Sequence, residues 1–271
     1  MALVVNSNIA SLNSQRQLAS STDSLSTNFE RLSSGKRINS ASDDAAGLQI
    51  SSRLTAQING LNQGSRNSND GISVSQTAEG ALDEYTNTLQ RMRTLSVQSA
   101  NGSNSQADRT ALDSEFSELE LELTRISDDT SFAGQNLLNG SYTGKNFQVG
   151  ADAGQTITLN ISQNFDAAST LSTIGISTAA AASAAITKVD AALATVTSTR
   201  ADLGAKQNRF SSIVRSNDNA AQNLSSSRSR VLDTDYAAES ASLAKSSVLQ
   251  QASSSMLAQA NQQPQIALSL L

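Results

Sequence analysis

Cysteine, histidine and tryptophan are absent from this chain, and proline occurs once, at Pro264. Without cysteine there is neither a disulfide nor a thiolate nucleophile. Without histidine there is no imidazole base, and the common zinc sites are excluded apart from an all-carboxylate one. Aspartate and glutamate remain, but acid–base work needs a pocket that perturbs one of them, and no stretch of the sequence points to such a pocket. The composition therefore argues against an enzyme, and it predicts no cofactor and no metal. Aromatic residues make up only 3% of the chain, so the large apolar side chains that usually dominate a core are scarce. With a mean hydropathy of −0.29, order has to come from many small contacts or from other copies of the chain.

Clusters of positive charge are missing too. The 19 basic residues, against 24 acidic ones for a net charge of −5, are scattered singly, which argues against a nucleic-acid partner. No stretch is read as approaching the roughly 20 apolar residues of a membrane helix, so no membrane partner is expected. Met1 to Asn8 has no basic n-region, and the apolar run Ala2 to Val5 is too short for a signal peptide. If the protein works outside the cell, the expectation is export without a cleavable signal.

What is present is helical periodicity on both flanks of a turn-rich middle. Of the fourteen glycines, seven fall between Gly102 and Gly175, and only Gly204 follows. Steps of three and four from Ile186 pass through Val189, Leu193, Val196, Leu203, Phe210, Val214, Asn217, Ala221, Leu224 and Val231, with Arg200, Gln207 and Arg228 interposed. That is a heptad seam interrupted by polar residues. A second phase continues through Leu232, Tyr236, Leu243, Leu249, Ala252 and Met256. The N-terminal flank repeats the pattern with Val5, Ile9, Leu12, Ala19, Leu25, Phe29 and Leu32, then Ile50, Leu54, Ile58, Leu61 and Ile72, then Leu82, Tyr85, Leu89, Met92 and Leu95. A third helix, capped by Ser105 or Asn104, carries Leu112, Phe116, Leu119, Leu123 and Ile126.

A helix from Ala180 to Gln262 would run on the order of 120 Å, far beyond a compact globule of this length. The expected fold is therefore mainly α, an elongated coiled-coil-like rod with a small β-hairpin near 142–162. Ile157, Leu159 and Ile161 alternate with polar residues as in a half-buried strand, and Phe147 to Val149 precedes it across a glycine-containing turn. The hairpin is expected to cap one end of the rod. Asp166 to Ala185, rich in Ala, Ser and Thr, reads as an irregular connector. Ser33 to Lys36 reads as a hinge, and Asp43 and Asp44 as helix-start or solvated charges rather than a carboxylate pair, since adjacent helical residues diverge by about 100 degrees.

The division expected is residues 1–42 and 232–271 as terminal helices forming a polymerisation domain, with 43–231 as a helical domain bearing the hairpin. Ile9, Leu12, Leu25, Phe29, Leu32, Leu243, Leu249 and Met256 are its candidate polymerisation seams. Such thin seams leave isolated helices frayed, and identical subunits joined through different faces build an open helical polymer.

The stretch Glu30-Arg-Leu-Ser-Ser-Gly-Lys-Arg-Ile-Asn-Ser-Ala-Ser-Asp-Asp-Ala-Ala-Gly-Leu48 closely resembles the N-terminal region of bacterial flagellins, as do Ser65 to Ile72 and Leu89 to Asn101. Ser229 to Tyr236 and the Gln- and Ala-rich end look like the same family. The resemblance covers about residues 1–140 and 185–271 and implies a structural subunit of the flagellar filament, the propeller of swimming bacteria. It implies that the paired termini form the inner tube and the next helices with the hairpin the outer tube. No outer β-rich domain fits between the hairpin and Ala180. It further implies secretion through the flagellar type III apparatus, and as partners an export chaperone, a filament cap protein, a hook–filament junction protein and an animal Toll-like flagellin receptor. The receptor-recognition positions match Arg91, Leu95 and Glu115. Rival readings are a hook–filament junction protein and a chemoreceptor-like helical scaffold, the latter calling for a membrane anchor or a continuous hairpin.

Overall fold

The computed structural model describes residues 7–171 and 174–269, with side chains as far as residue 262. Val5, one of the N-terminal seam positions, lies outside the described residues. Among the described residues the chain is mainly helical with a small hairpin, as expected. In order, the elements are α1 (Ile9–Ser34), α2 (Ala45–Ala100), α3 (Gln106–Asp129), a two-residue ladder of β1 (Ser131–Phe132) and β2 (Gln135–Asn136), the hairpin β3 (Tyr142–Gln148) and β4 (Thr156–Ile161), α4 (Ala167–Leu171), α5 (Ala179–Leu232) and α6 (Tyr236–Ser269). Contacts divide the chain into one unit of residues 1–56 and 223–271 and a second of residues 57–222.

The second unit holds most of the apolar core. On α2 the steps of three and four bury Val74, Ala78, Leu82, Tyr85, Leu89, Met92 and Leu95; Phe116 and Leu123 answer them from α3, and Val189, Val196 and Leu203 from α5. The few aromatics are spent where they bury completely. Tyr85 meets Phe165 edge-on, ring centroids 5.7 Å apart, and its hydroxyl donates to the Phe165 carbonyl at 2.8 Å. The polar positions of the seams are satisfied locally. Buried Ser68, Ser75 and Ser96 each donate to the carbonyl four residues back, so a serine-rich helix buries its small faces at little cost.

In the hairpin Phe147 pairs with Ile157 and Gln148 with Thr156, with an irregularity between Tyr142 and Lys145. Ile157, Leu159 and Ile161 point inward as the alternation predicts. The hairpin does not cap an end; it lies against the flanks of α2 and α5. Asn67 on α2 donates to the Gln148 carbonyl at 2.8 Å, and buried Asn217 on α5 to the Val149 carbonyl at 2.7 Å. Close approach explains Gly64, where a Cβ would meet the Val149 carbonyl group. Val149, Ile157 and Phe210 close a second small core, with Phe147 set edge-on to Phe210 at 5.7 Å.

Three expectations need correction. The long C-terminal helix is two helices, because Asp233 joins Lys36 in an antiparallel bridge and Asp235 starts α6 by accepting from the N–H groups of Ala237 and Ala238 at 2.9 and 3.2 Å. The connector is not wholly irregular: α4 forms within it, and α5 begins already at Ala179, after Thr178 accepts from the Ala181 N–H at 3.2 Å. Finally, α5 does contain an 18-residue window of mean hydropathy 1.3, enough by length and composition to cross a membrane. The alanines at the start of α5 together with Ile186, Val189, Leu193 and Val196 supply that value. Ala182, Ala185, Val189, Ala192 and Val196 spend their apolar surface in the core of the second unit.

The helix α3 starts as the sequence suggests. Ser105, not Asn104, is its cap: the hydroxyl accepts from the Asp108 N–H at 3.2 Å, and the Asp108 carboxylate accepts from the Ser105 N–H at 2.9 Å. The Ser105 hydroxyl donating to the Asp108 carboxylate at 2.7 Å, and after it the Ser105 N–H, hold that carboxyl below its ordinary range.

Candidate functional site

The first unit is built on an antiparallel pair, α1 against α6. Asn8 caps α1 by accepting from the Ser11 N–H and donates to the Ala260 carbonyl at 2.7 Å. At the other end Gly35 closes α1 in the left-handed conformation, φ 69°, with the Tyr236 hydroxyl 2.9 Å from where a Cβ would stand. The expected hinge at Ser33 to Lys36 is thus a fixed corner, since Arg37 N–H donates to the Leu232 carbonyl at 2.7 Å and Thr234 N–H to the Gly35 carbonyl at 3.1 Å. Ile38 is buried beside it. Asp44 stands at the start of α2 as the helix-start reading predicts, while Asp43 holds the turn before it. Asp43 accepts from the N–H groups of Asn39 and Ser40, and these bonds, Ser40 first, lower its carboxyl below the usual range; Asp44 accepts from the Gly47 N–H at 2.8 Å.

The faces that the two helices turn to each other follow a strict heptad. On α1 it passes Ser11, Ser14, Leu18, Ser21, Leu25, Asn28 and Leu32; on α6 it passes Glu239, Leu243, Ser246, Gln250, Ser253, Leu257 and Ala260. Most of the contacts are polar or small. Ser11 donates to Asn261 at 2.7 Å, Asn28 donates to Ser246 at 3.2 Å and Ser242 at 3.3 Å, and Gln250 donates to Thr22 at 3.4 Å. Arg31 and Glu239 approach only to 3.9 Å, and the Ser21 hydroxyl is buried with no partner among the described residues. A seam with one leucine per heptad on α1 and serine opposite it removes little apolar surface from water.

The candidate seam residues divide accordingly. Leu25, Leu32 and Leu243 belong to the contact between α1 and α6. The other five do not. Ile9, Leu12, Phe29, Leu249 and Met256 point away from it, with exposures of 61, 50, 57, 39 and 60%. Their company on α6 includes Val248 and Tyr236, also exposed. The steps of three and four through the apolar residues assign Ile9, Leu12, Phe29, Leu249 and Met256 to the seam and pass over Leu18 and Leu257, which lie in it; the sequence signal of the observed seam is the serine repeat at sevens, Ser246 and Ser253 on one helix, and Ser14, Ser21 and Asn28 on the other.

The second group of candidates lies in the other unit. Arg91 on α2 and Glu115 on α3 are both exposed and joined, Nε donating to the carboxylate at 2.8 Å. Leu95 is fully buried in the core. Its side chain lies on the face α2 turns inward, as its place in the run Leu82 to Leu95 predicts, while Arg91 and Glu115 stand at the surface. Among the described residues there is no group of three or more carboxylates placed to hold a metal ion.

Residues 5–143 match the model of the bacterial flagellin N-terminal helical region, and residues 186–271 that of the bacterial flagellin C-terminal helical region. The chain belongs to the bacterial flagellin family. Relatives from end to end include polar flagellin F of Vibrio parahaemolyticus and flagellin D of Vibrio cholerae, each 39% identical over 376 aligned positions that span the whole of both chains. The alignment is longer than this flagellin's 271 residues, so gaps opposite inserted segments make up the difference. Among solved structures, the flagellin of Bacillus cereus is 30% identical with a TM-score of 0.51, covering 56% of this chain and 88% of that one. A putative flagellar hook-associated protein of Vibrio parahaemolyticus shares the fold at a TM-score of 0.59 and 15% identity, over 70% of this chain and all of that one. As a flagellin, the protein is a structural subunit and not an enzyme. It polymerises with itself into the flagellar filament and is exported to do so.

Proposed function

We propose that α1 and α6 form the polymerisation domain of this subunit and the inner tube of the filament, while the helices and hairpin of residues 43–231 form the outer tube. The observation that carries the reading is the outward placement of Ile9, Leu12, Phe29, Leu249 and Met256. Apolar side chains at exposures of 39 to 61% on a helix pair with a polar seam are left to be covered by something else. Neighbouring copies cover them in the filament. Because the seam itself stabilises the pair weakly, the terminal helices become fully ordered only on assembly, and growth proceeds from a prepared end. The test is seeded assembly followed by electron microscopy. Replacing Leu12 and Met256 by serine leaves the monomer's helix content unchanged and stops growth on sheared seeds; a variant that extends seeds at the normal rate refutes the assignment.

Export runs through the flagellar type III apparatus without a cleavable signal. An export chaperone holds the C-terminal segment, a cap protein guides insertion and a hook–filament junction protein meets the first subunits. A Toll-like receptor reads the exposed pair Arg91 and Glu115, with Leu95 acting only by fixing the register of α2. A monomer carrying Arg91→Ala that signals as well as the parent in a reporter-cell assay rejects this last part.

A further inference from the structure

We infer that Asn101 is a site of spontaneous deamidation, a chemical modification that changes the charge and backbone of the corner between α2 and α3. Three Asn-Gly pairs occur in the chain, at Asn59, Asn101 and Asn139. In this reaction the backbone nitrogen of the following residue attacks the Asn Cγ. The N–H proton and the amide leave together as ammonia, and a cyclic imide forms. Water then opens the imide at either carbonyl, to aspartate or to isoaspartate, in which the backbone runs through the side chain. Attack needs a following residue without a Cβ, a nitrogen not engaged as a donor, and a backbone free to turn it toward Cγ.

The Asn101 pair meets the first two conditions, and its backbone is restrained at the Asn101 carbonyl, which accepts from Arg109 and the Asn104 N–H, and at the Asn101 N–H, which donates to Gln98, rather than by a helix or a strand bridge. Asn59 and Gly60 lie inside α2, where the Gly60 N–H is committed to the helix ladder and ψ is held helical. Asn139 is held in an antiparallel bridge with Asn164, and Gly140 is hemmed in, its Cβ position 3.3 Å from the Asn164 side chain. Asn101 and Gly102, by contrast, stand exposed just after α2 ends at Ala100. The Gly102 N–H has no acceptor among the described residues, and nothing lies within 4 Å of where its Cβ would be. The Asn101 side-chain oxygen accepts from the Ser103 N–H at 3.3 Å, which draws electrons from Cγ and favours attack on it. In the same loop Asn104 is not a competitor: its amide donates to the Gln98 carbonyl at 2.6 Å, and the Ser105 N–H is engaged by Asp108.

The corner is one that a changed backbone disturbs. Buried Arg109 grips two carbonyls there, those of Ser99 and Asn101, the latter at 2.9 Å. Ser99 in turn donates to the Ile176 carbonyl, and Gln106 to the Ser177 carbonyl at 3.0 Å. Isoaspartate at 101 inserts a methylene between the carbonyls that Arg109 holds and adds a carboxylate beside it.

The test is ageing of the full-length protein at mildly alkaline pH and body temperature. Peptide mass spectrometry and isoaspartyl methyltransferase labelling follow the products. Cleavage at Arg93 and Arg109 yields one peptide of residues 94–109, which should become about 1 Da heavier by fragment ions assigned to Asn101. Conversion there is expected to outrun that at Asn59 and Asn139 by at least about tenfold, and Gly102→Ala to slow it by a similar factor. Equal rates at the three pairs, labelling at Asn104 instead, or no effect of Gly102→Ala would overturn the inference.

Discussion

Two glycines of the same helix respond oppositely to the same substitution. Gly71 and Gly80 both lie within α2, and in an exposed helix interior glycine is worse than alanine by about 1 kcal/mol. At Gly80 a Cβ meets nothing within 4 Å, and the residue is exposed, so Gly80→Ala should stabilise the second unit by up to about 1 kcal/mol. At Gly71 the Cβ would stand 2.7, 3.0 and 3.1 Å from three ring atoms of Phe210. That ring cannot simply swing away, being fully buried and set edge-on to Phe147 with Val149 and Ile157 around it. Overpacking of this kind costs about 1 to 3 kcal/mol, which cancels or outweighs the helix gain, and Gly71→Ala should destabilise by up to about 2 kcal/mol net. For a unit of this size that is a fall in Tm of up to about 8 °C. Denaturant unfolding of the monomer, followed by circular dichroism and by the environment of buried Tyr85, reads both changes. Phe210→Leu in the Gly71→Ala background frees the space and should recover part of the loss, a coupling that a double-mutant cycle isolates. If Gly71→Ala raises stability as Gly80→Ala does, the packing described between α2, α5 and the hairpin is wrong.

Two further perturbations probe the start and the middle of α3. Ser105→Ala removes one half of the capping box and should cost about 1 kcal/mol at neutral pH. Because the Asp108 carboxyl is lowered by its bonds to Ser105, the stability it contributes is present above its ordinary value and lost as pH falls through the folded value, so parent and variant unfold more alike in acid. Glu120 shows the opposite sign. Burial raises its carboxyl, against a pull from the Ile174 backbone and with Asp113 nearby adding to the rise, and one of its oxygens is buried with no partner among the described residues. A raised acid contributes stability that is present below its unfolded value near 4.5 and lost as pH rises through the folded value. Glu120→Gln should therefore stabilise the protein at neutral pH and lose that advantage at pH 4, as measured by denaturant titrations at the two pH values.

Most of the helical layout was legible because periodicity survives a poor composition. The steps of three and four found Leu82 to Leu95, Phe116 to Ile126 and Val189 to Ala221, and these are the residues that pack. The alternation at Ile157, Leu159 and Ile161 found the strand. What escaped was set by contacts distant in sequence. The interruption at Asp233 depends on a bridge to Lys36, and nothing in the run from Val231 to Tyr236 breaks a helix by propensity alone. The division of apolar residues between seam and outer surface escaped for a different reason. In α1 the seam is carried by Ser11, Ser21 and Asn28 as much as by Leu18, Leu25 and Leu32, and polarity gave no reason to place serine inside.

That division also bears on why this composition suits a polymer. A helix pair whose inner seam is serine and asparagine has no strong preference for its own partner over solvent, since each hydrogen bond made replaces one to water at a net gain of only about 1 kcal/mol. Its apolar residues, placed outward, gain only when other chains bury them. Exchanging the two sets, leucine for Ser21 and Ser246 with serine for Phe29 and Met256, would give a pair that is stable alone and has nothing left to join. Scarcity of large apolar residues is thus not a weakness of the fold but the condition that keeps the subunit separate until an end of the filament is at hand.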